Sequence, residues 1–276
     1  LDFFSKARVS LGISAALLFF SFASFLFQGL NFGIDFLGGT TIRTQSTQSV
    51  DVGEYRAVLS VLELGDVSIT EVFDPNFDED QNVAMIRIQQ QNSEEKSVSD
   101  VSRGALTALQ KIDLGINFVS VENVGPKVSG ELVKTAILAV ILAIGSVLVY
   151  IWLRFEWQFS QGAVAALIHD VLLTIGIFSV LQIKFDLATI AALLTIVGYS
   201  LNDTVVVFDR VRENLRKYKK RPLKEVLNLS INETLNRTVT TSLTTLLALI
   251  ALFVLGGDVI RGFVFAMIWG VIVGTY

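Results

Sequence analysis

Residues 132–153 read LVKTAILAVILAIGSVLVYIWL, an apolar run in which Lys134 is the one charged residue. A helix rises 1.5 Å per residue, so this run reaches about 33 Å and matches the ~30 Å hydrocarbon core of a bilayer. Of the 276 residues in the chain, 52% are hydrophobic and 17% are charged. Soluble domains carry about 25% charged residues. The sequence therefore predicts a membrane-embedded protein.

Further apolar runs lie on both sides of this segment and complete a prediction of six membrane-spanning helices. The first is expected to be a retained anchor, because its apolar core is longer than that of a signal peptide and no small-x-small cleavage site follows it. The chain starts at Leu1 and stops within an apolar run, so we expect residues of the natural protein to be missing at both ends. The predicted spans cover residues 9–27, 132–153, 159–181, 187–208, 238–255 and 259–276.

Basic residues in short loops predict the orientation of these spans. Seven Lys and Arg residues lie between positions 210 and 221, after span 4. Lys6 and Arg8 precede span 1, and Arg154 follows span 2. Six spans place all of these residues on one side, which the positive-inside rule identifies as cytoplasmic. The N-terminus is therefore expected inside and residues 29–131 outside.

The polar stretch at residues 29–131 has the pattern of a small α+β domain. Its order of strands and helices, β-α-β-β-α-β, is typical of a ferredoxin-like fold. In the third strand Ala84, Ile86 and Ile88 form an apolar face that is expected to be the core side, whereas Arg87 indicates that the opposite face meets water. The predicted elements are strand 40–44, helix 51–64, strands 67–73 and 82–88, helix 98–112 and strand 116–121.

The chain is thus predicted to have three parts. Residues 1–28 hold the cytoplasmic N-terminus and span 1, and residues 29–131 form the outer domain. Residues 132–276 hold spans 2–6, with a basic cytoplasmic loop and an amphipathic helix at 209–236. This helix, at residues 223–235, has apolar residues on one side and polar residues on the other, so it is expected to lie on the inner membrane surface.

Ionisable side chains inside spans are candidates for function, because inserting each one costs roughly 2.5–3.5 kcal/mol. Asp203 lies near the inner end of span 4, with Asn202 and Thr204 beside it and Tyr199 one turn earlier on the same face. The functional interpretation of Asp203 is a proton-binding carboxylate. The alternative is a carboxylate near the boundary that is hydrated from the cytoplasm.

Two other positions in the spans carry charge. His169 and Asp170, near the middle of span 3, are a candidate relay pair, although neighbours on a helix point about 100° apart and need not bond each other. The alternative is a structural polar bond between helices. Arg237 opens span 5, on a face that continues through Thr241. It is a candidate cation partner for Asp203, or an arginine that extends to the inner headgroups.

The composition argues against several classes of function. The chain has no cysteine and one histidine, which excludes disulfides and disfavours a zinc site. No Walker sequence is present, and the GGT at residues 38–40 lacks the Lys-Ser/Thr of a phosphate loop. The basic run has no interleaved aromatic residues beyond Tyr218, so it is expected to contact anionic lipid and not nucleic acid. We expect neither an enzyme nor a bound cofactor.

Five motifs resemble the SecD/SecF family, and the likeness follows the chain order over nearly its whole length. The span 4 motif, together with an outer region of about 100 residues, resembles the SecF branch of that family more than the SecD branch. The motifs are FGIDFLGGT (32–40), VGPKVSGEL (124–132), LIHD (167–170), VGYSLNDTVVVFDRVREN (197–214) and LNRTVTTS (235–242).

This resemblance implies a function that composition did not indicate. Members of the SecF branch pair with SecD in a twelve-span unit of the resistance-nodulation-division type in the bacterial cytoplasmic membrane. That unit works beside the SecYEG channel, where the proton-motive force drives the outer domains to pull the emerging preprotein outward. Protons would be the coupling ion. Asp203 and Arg237 match the family's proton path, and His169 and Asp170 match its span 3 pattern.

Two other functions stay open at this point. A proton-coupled small-molecule exporter of the same superfamily would need a large substrate pocket, which usually comes from a much bigger outer region. A passive scaffold, whose charges are structural, predicts that Asp203→Asn leaves export intact.

Overall fold

The computed structural model describes residues 1–62, 64, 67–72, 82–89, 98–154 and 157–276. The chain divides into two compact units. The helical unit comprises Leu1–Asn31, Leu138–Phe253 and Gly262–Tyr276, and the sheet unit comprises Phe32–Ile137 with Val254–Arg261. In chain order the elements are α1 (Ala7–Gln28), α2 (Ile34–Leu37), β1 (Gly39–Ser46), α3 (Val52–Ser60), β2 (Val67–Val72), β3 (Asn82–Gln89), α4 (Val98–Leu109), β4 (Asn117–Val124), α5 (Pro126–Arg154), α6 (Trp157–Leu181), α7 (Leu187–Lys217), α8 (Leu223–Leu255) and α9 (Gly257–Thr275).

The sheet unit contains one antiparallel sheet of four strands in the order β2-β3-β1-β4. From β1 to β4 its elements follow the predicted sequence of strands and helices, and the short helix α2 was not predicted. Ala84, Ile86 and Ile88 are buried, as the alternation in β3 predicts. Helices α3 and α4 cover this face with Tyr55, Leu59, Ala105 and Leu109. The predicted end of β2 at residue 73 lies outside the described residues, and α3 ends at Ser60, before the predicted end at residue 64.

The opposite face of β3 corrects the prediction that it meets water. Val83 and Met85 are only 6% and 8% exposed, and they form a second apolar cluster with Val72. β3 lies between β1 and β2, so side chains of both strands stand beside its own on this face, and Val72 of β2 packs against Val83 and Met85. Arg43 of β1 lies opposite Met85 in the sheet. The methylene groups of an arginine can cover apolar surface while its guanidinium group reaches water. Arg87 on this face therefore does not mark an open surface.

Asp113 joins the end of β1 to the turn between α4 and β4. Its Oδ1 accepts from the backbone N–H of Gly115 (2.8 Å), and its Oδ2 accepts from the hydroxyls of Ser46 and Thr47 (both 2.8 Å). These donors, the Gly115 amide first, lower the pKa of the Asp113 carboxyl from 3.8 to about 2. The ionised carboxylate is thus favoured in the folded state.

The sheet unit is expected to lose stability in acid through this carboxyl. Because the folded pKa lies below the unfolded one, the contribution is complete above about pH 4 and is lost as the pH falls towards 2. Asp113→Asn, which keeps the shape but not the charge, should remove this acid-dependent component. Amide hydrogen exchange in β1 and β4, corrected for its intrinsic pH dependence, measures it. An equal acid response in Asp113→Asn and wild type would assign the loss to other groups.

Length and composition identify candidate membrane spans among the helices. Five helices of the described chain qualify: Ala7–Gln28, Val128–Arg154, Phe159–Leu181, Leu187–Lys217 and Leu223–Leu255. Helix α9 overlaps the predicted sixth span, but its apolar part, Ile260–Thr275, is shorter than the ~20 residues that a span usually needs. Five spans are therefore supported, and the sixth stays a prediction.

The predicted surface helix at residues 223–235 is wrong as a separate element. It forms the first part of α8, a single helix of 33 residues. No glycine or proline interrupts α8, so the helix has no reason to break before its apolar part. Its polar side chains contact protein, since Asn214 of α7, which is 2% exposed, donates to Ser230 (3.0 Å) and Glu233 (2.8 Å). Asn228 also accepts from the backbone N–H of Phe3 (2.9 Å).

Candidate functional site

Asp203 is positioned by α7, whose start is fixed by a capping box. The backbone N–H of Thr189 donates to the Asp186 carboxylate (2.9 Å), and the backbone N–H of Asp186 lies 3.4 Å from the Thr189 hydroxyl. From this start the helical period places a stripe of buried residues, ending in the spanning part at Ser200, towards the neighbouring helices. Asp203 is three residues further along and is partly buried.

The partner of Asp203 is a hydroxyl on the next helix. Thr238 of α8, which is 9% exposed, donates from Oγ1 to Asp203 Oδ1 at 2.7 Å. This distance is short, as is usual for a hydroxyl bonded to a carboxylate. The bond links α7 to α8 at the level of the candidate proton site. The choice of candidates by charge did not include Thr238.

Arg237 does not contact Asp203 in this conformation. Its side chain is exposed, and the structure forms no ion pair between the two residues. Adjacent residues on a helix point about 100° apart, so a rotation of α8 that presents Thr238 to Asp203 turns Arg237 away. The two candidates singled out together by their charges are therefore separated here by a neighbouring threonine.

Asp170 lies in a second polar cluster, between α6 and α7. It is 4% exposed and accepts from the Ser200 hydroxyl at Oδ2 (2.7 Å). His169 Nδ1 lies 3.0 Å from Asp170 Oδ1, so the two neighbours do bond each other. His169 Nε2 is buried without a hydrogen-bond partner in the described part of the chain. Helix α9 closes the cluster, because a Cβ at Gly274 would lie 3.3 Å from Asp170 Oδ2.

A chain of hydroxyls ties α7, α8 and α9 together beside these carboxylates. Tyr199 donates from its phenol to Ser242 Oγ (3.3 Å), and Ser242 in turn shares a hydrogen bond with Thr275 (2.7 Å). Ser242 lies one turn after Thr238 on α8, and Tyr199 lies one turn before Asp203 on α7. The supporting role predicted for Tyr199 thus has a concrete partner.

The other predicted supporting residues make no hydrogen bond to another helix in the described part of the chain. Thr204 donates to the Ser200 carbonyl (3.0 Å) and Thr241 to the carbonyl of Arg237 (3.0 Å), each within its own helix. Asn202 is exposed. Among the described residues no three His, Cys, Asp or Glu side chains converge as metal ligands. The site as built can bind and release protons and exchange hydrogen bonds between helices.

Ser200 and Thr238 are the site residues that sequence reasoning missed. Ser200 lies one helical turn before Asp203, and Thr238 directly follows Arg237. Hydroxyls at such positions in an apolar helix often bond across helices. That spacing was the available signal. It did not indicate which hydroxyl faces which carboxylate, because the rotation of each helix is set by packing.

Two family models match the chain. The model described as "Protein export membrane protein SecD/SecF, C-terminal" matches residues 105–276, and the "SecD/SecF GG Motif" matches residues 23–50. A curated relative from Cereibacter sphaeroides, named "Protein translocase subunit SecF", is 62% identical over all of this chain and 85% of its own length. A relative of the same name from Rhodobacter capsulatus is 59% identical over all of this chain and 84% of its own length.

Solved structures show the same similarity. The crystal structure of SecDF, a translocon-associated membrane protein from Thermus thermophilus, matches with a TM-score of 0.85 and 37% sequence identity. A SecDF structure in a super-membrane-facing form matches with a TM-score of 0.72, also at 37% identity. Both matches cover all of this chain, which spans 37% of the length of the SecDF chain.

Proposed function

Because this chain belongs to the SecD/SecF family of protein export membrane proteins, we propose that it acts as the SecF-type subunit of a proton-driven export complex. In this proposal it lies in the bacterial cytoplasmic membrane with six spans and a cytoplasmic N-terminus. Residues 29–131 form a ferredoxin-like domain on the periplasmic side. The four-stranded antiparallel sheet with two helices on one face supports that fold.

One observation carries the proposal. Asp203 lies in a helix apolar enough to span a membrane, and a hydroxyl on the neighbouring helix is its partner in place of a cation. An ionisable side chain in an apolar span is costly to insert, so its presence there indicates a functional role. Protonation would remove the charge and alter the contact between α7 and α8.

The proposed cycle couples that event to the outer domain. A proton from outside neutralises Asp203, its attraction for Arg237 is lost, and α8 shifts against α7. The shift reaches the outer domain through residues 124–132 and α1. One charge that crosses 100 mV releases about 2.3 kcal/mol, which shifts a two-state equilibrium more than tenfold but cannot unfold a domain. Several protons for each pulling cycle are therefore expected.

The proposed partners follow from the family. SecD would supply the other half of the proton path, and the SecYEG channel would deliver the unfolded preprotein. The basic residues between positions 210 and 221 would contact anionic lipid on the cytoplasmic side. His169 and Asp170 would relay protons to or from Asp203.

The proposal is tested in inverted membrane vesicles that contain SecYEG and SecD, with and without this chain. Release of a preprotein is followed after ATP is exhausted, with the proton gradient intact or collapsed by an uncoupler. We expect the gradient to accelerate release only when this chain is present. Equal release with and without the gradient would leave the chain as a scaffold, and gradient-driven accumulation of small molecules inside the vesicles without preprotein release would favour an exporter.

A further inference from the structure

The hydroxyl of Thr238 differs from those of its neighbours on α8 in where it donates. A threonine inside a helix ordinarily donates to a carbonyl three or four residues earlier in its own helix. On α8 this holds for Thr234, Thr241, Thr244 and Thr245. Thr238 instead donates to Asp203 of α7, at 2.7 Å. The Thr238 hydroxyl therefore bonds a carboxylate on another helix and not a carbonyl of its own helix.

Few charged groups compete for Asp203 in this arrangement. On α8, Arg237 is exposed and Glu233 accepts from Asn214. On α6, Asp170 is held by Ser200 and His169 lies against Asp170. Helix α9 brings no charged residue from 262 to 276, and on α7 itself the next acid, Asp209, pairs with Arg154 of α5 at 3.5 Å. Thr238 is thus the observed partner of Asp203 here, and Arg237 is the nearest cation along α8.

The chemistry of the two candidate partners differs in one decisive respect. A hydroxyl donates and accepts, so it can bond both the ionised and the protonated carboxyl group. A guanidinium only donates and favours the ionised form. The Thr238 hydroxyl can therefore bond Asp203 in either protonation state, whereas Arg237 bonds it most strongly when it is ionised.

We propose that Thr238 is a positioning residue for Asp203, and that its hydroxyl and the Arg237 guanidinium are alternative partners exchanged by a rotation of α8. The inference rests on the proposed function and adds the group that holds Asp203 when Arg237 does not. Because Thr238 and Arg237 are adjacent, a rotation of about 100° at most exchanges them. No covalent step is involved, and the proton resides on the Asp203 carboxyl.

The test uses this chain with SecD in membrane vesicles and compares Thr238→Val, which removes the hydroxyl but keeps the shape, with Thr238→Ser, which keeps the hydroxyl. Thr245→Val is the matched control, because the Thr245 hydroxyl donates within α8 (2.8 Å to Thr241 O). Gradient-driven release is measured against external pH at equal abundance of each variant. Thr238→Val should release preprotein about tenfold more slowly and need more acid for half-maximal release, since Arg237 then holds the ionised form unopposed. Thr238→Ser and Thr245→Val should match wild type.

Two results would overturn the inference. In one, Thr238→Val keeps the wild-type rate and pH profile. In the other, Thr238→Ser is as slow as Thr238→Val with an unshifted profile, which indicates a packing role. Asp203→Asn, measured in parallel, separates the proposals. If it releases preprotein normally the proposed function itself fails, and if it is inactive while Thr238→Val is normal only the role of Thr238 fails.

Discussion

Asp203→Asn is expected to reduce export to the level of cells that lack this subunit. Asparagine has nearly the same shape and can still accept from the Thr238 hydroxyl, so the contact between α7 and α8 is retained. It cannot ionise, so the charge that couples the gradient to this contact is lost. A free energy of about 2.3 kcal/mol for each charge and 100 mV corresponds to a roughly fiftyfold shift in an equilibrium. Without this free energy from the gradient, Asp203→Asn should retain only the export that does not depend on the gradient.

The measurement is export of a secreted reporter in cells depleted of the native subunit and supplied with each variant at equal membrane abundance. Asp209→Asn is the matched control. It makes the same chemical change six residues later on α7, where Asp209 is exposed and pairs with Arg154 at 3.5 Å. An exposed pair of this kind contributes little to stability, so export should be near normal. Full rescue by Asp203→Asn would make Asp203 a structural residue.

Gly176→Leu is expected to destabilise the helical unit at the contact between α1 and α6. Even a Cβ at position 176 would overlap the side chain of Ser21 and lie 2.9 Å from its Cα, so the backbones of α1 and α6 would have to separate. Hydrogen bonds further along the same contact, such as Ser24 to Ser179 (2.9 Å), would be strained. Overpacking of this kind costs about 1–3 kcal/mol. A destabilisation of that size changes abundance several-fold.

Thermal unfolding of the purified protein and its abundance in membranes measure this effect. Gly12→Leu is the control, because Gly12 lies on α1 with no atom within 4 Å of its added Cβ. It should leave both quantities near the wild-type values. If Gly176→Leu were as stable and as abundant as Gly12→Leu, the close approach of α1 and α6 would be wrong.

The spans were predictable from the sequence because burial in lipid leaves a strong and local signal. A run such as residues 132–153 must form a helix in a bilayer, because only a helix satisfies every backbone hydrogen bond within the segment. The sheet unit was predictable for a different reason, since alternation in β3 identified Ala84, Ile86 and Ile88 as core residues. Its opposite face was mispredicted because Arg87 was taken to indicate solvent, although Val83 and Met85 beside it are buried.

The first part of α8 shows a limit of periodicity. The apolar face of an amphipathic helix can pack against a lipid surface or against protein. The hydrophobic periodicity alone does not distinguish these two environments. Here Asn214 and the backbone of Phe3 are the partners, and both are distant in sequence. The prediction of a separate helix therefore failed, because this stretch continues without a break into the rest of α8.

The sequence identifies the charged residues of the candidate site but not the contacts that they make. Charges inside apolar spans are conspicuous, which is why Asp203, Asp170, His169 and Arg237 could be named in advance. Which of them touch depends on the rotation and depth of each helix, and these are set by packing across the whole bundle. As a result the cation expected beside Asp203 is exposed, and Thr238 occupies its place.

The central claim, that Asp203 is the carboxyl group that takes up the coupling proton, is tested most directly by infrared difference spectroscopy of the complex with SecD in vesicles. Spectra are compared before and after a proton gradient is imposed. We predict a protonated-carboxyl C=O band that is missing in Asp203→Asn, remains in Asp209→Asn and changes frequency in Thr238→Val, where the hydrogen bond to the carboxyl is lost. A band of unchanged intensity in Asp203→Asn would contradict the account and place the proton on another group.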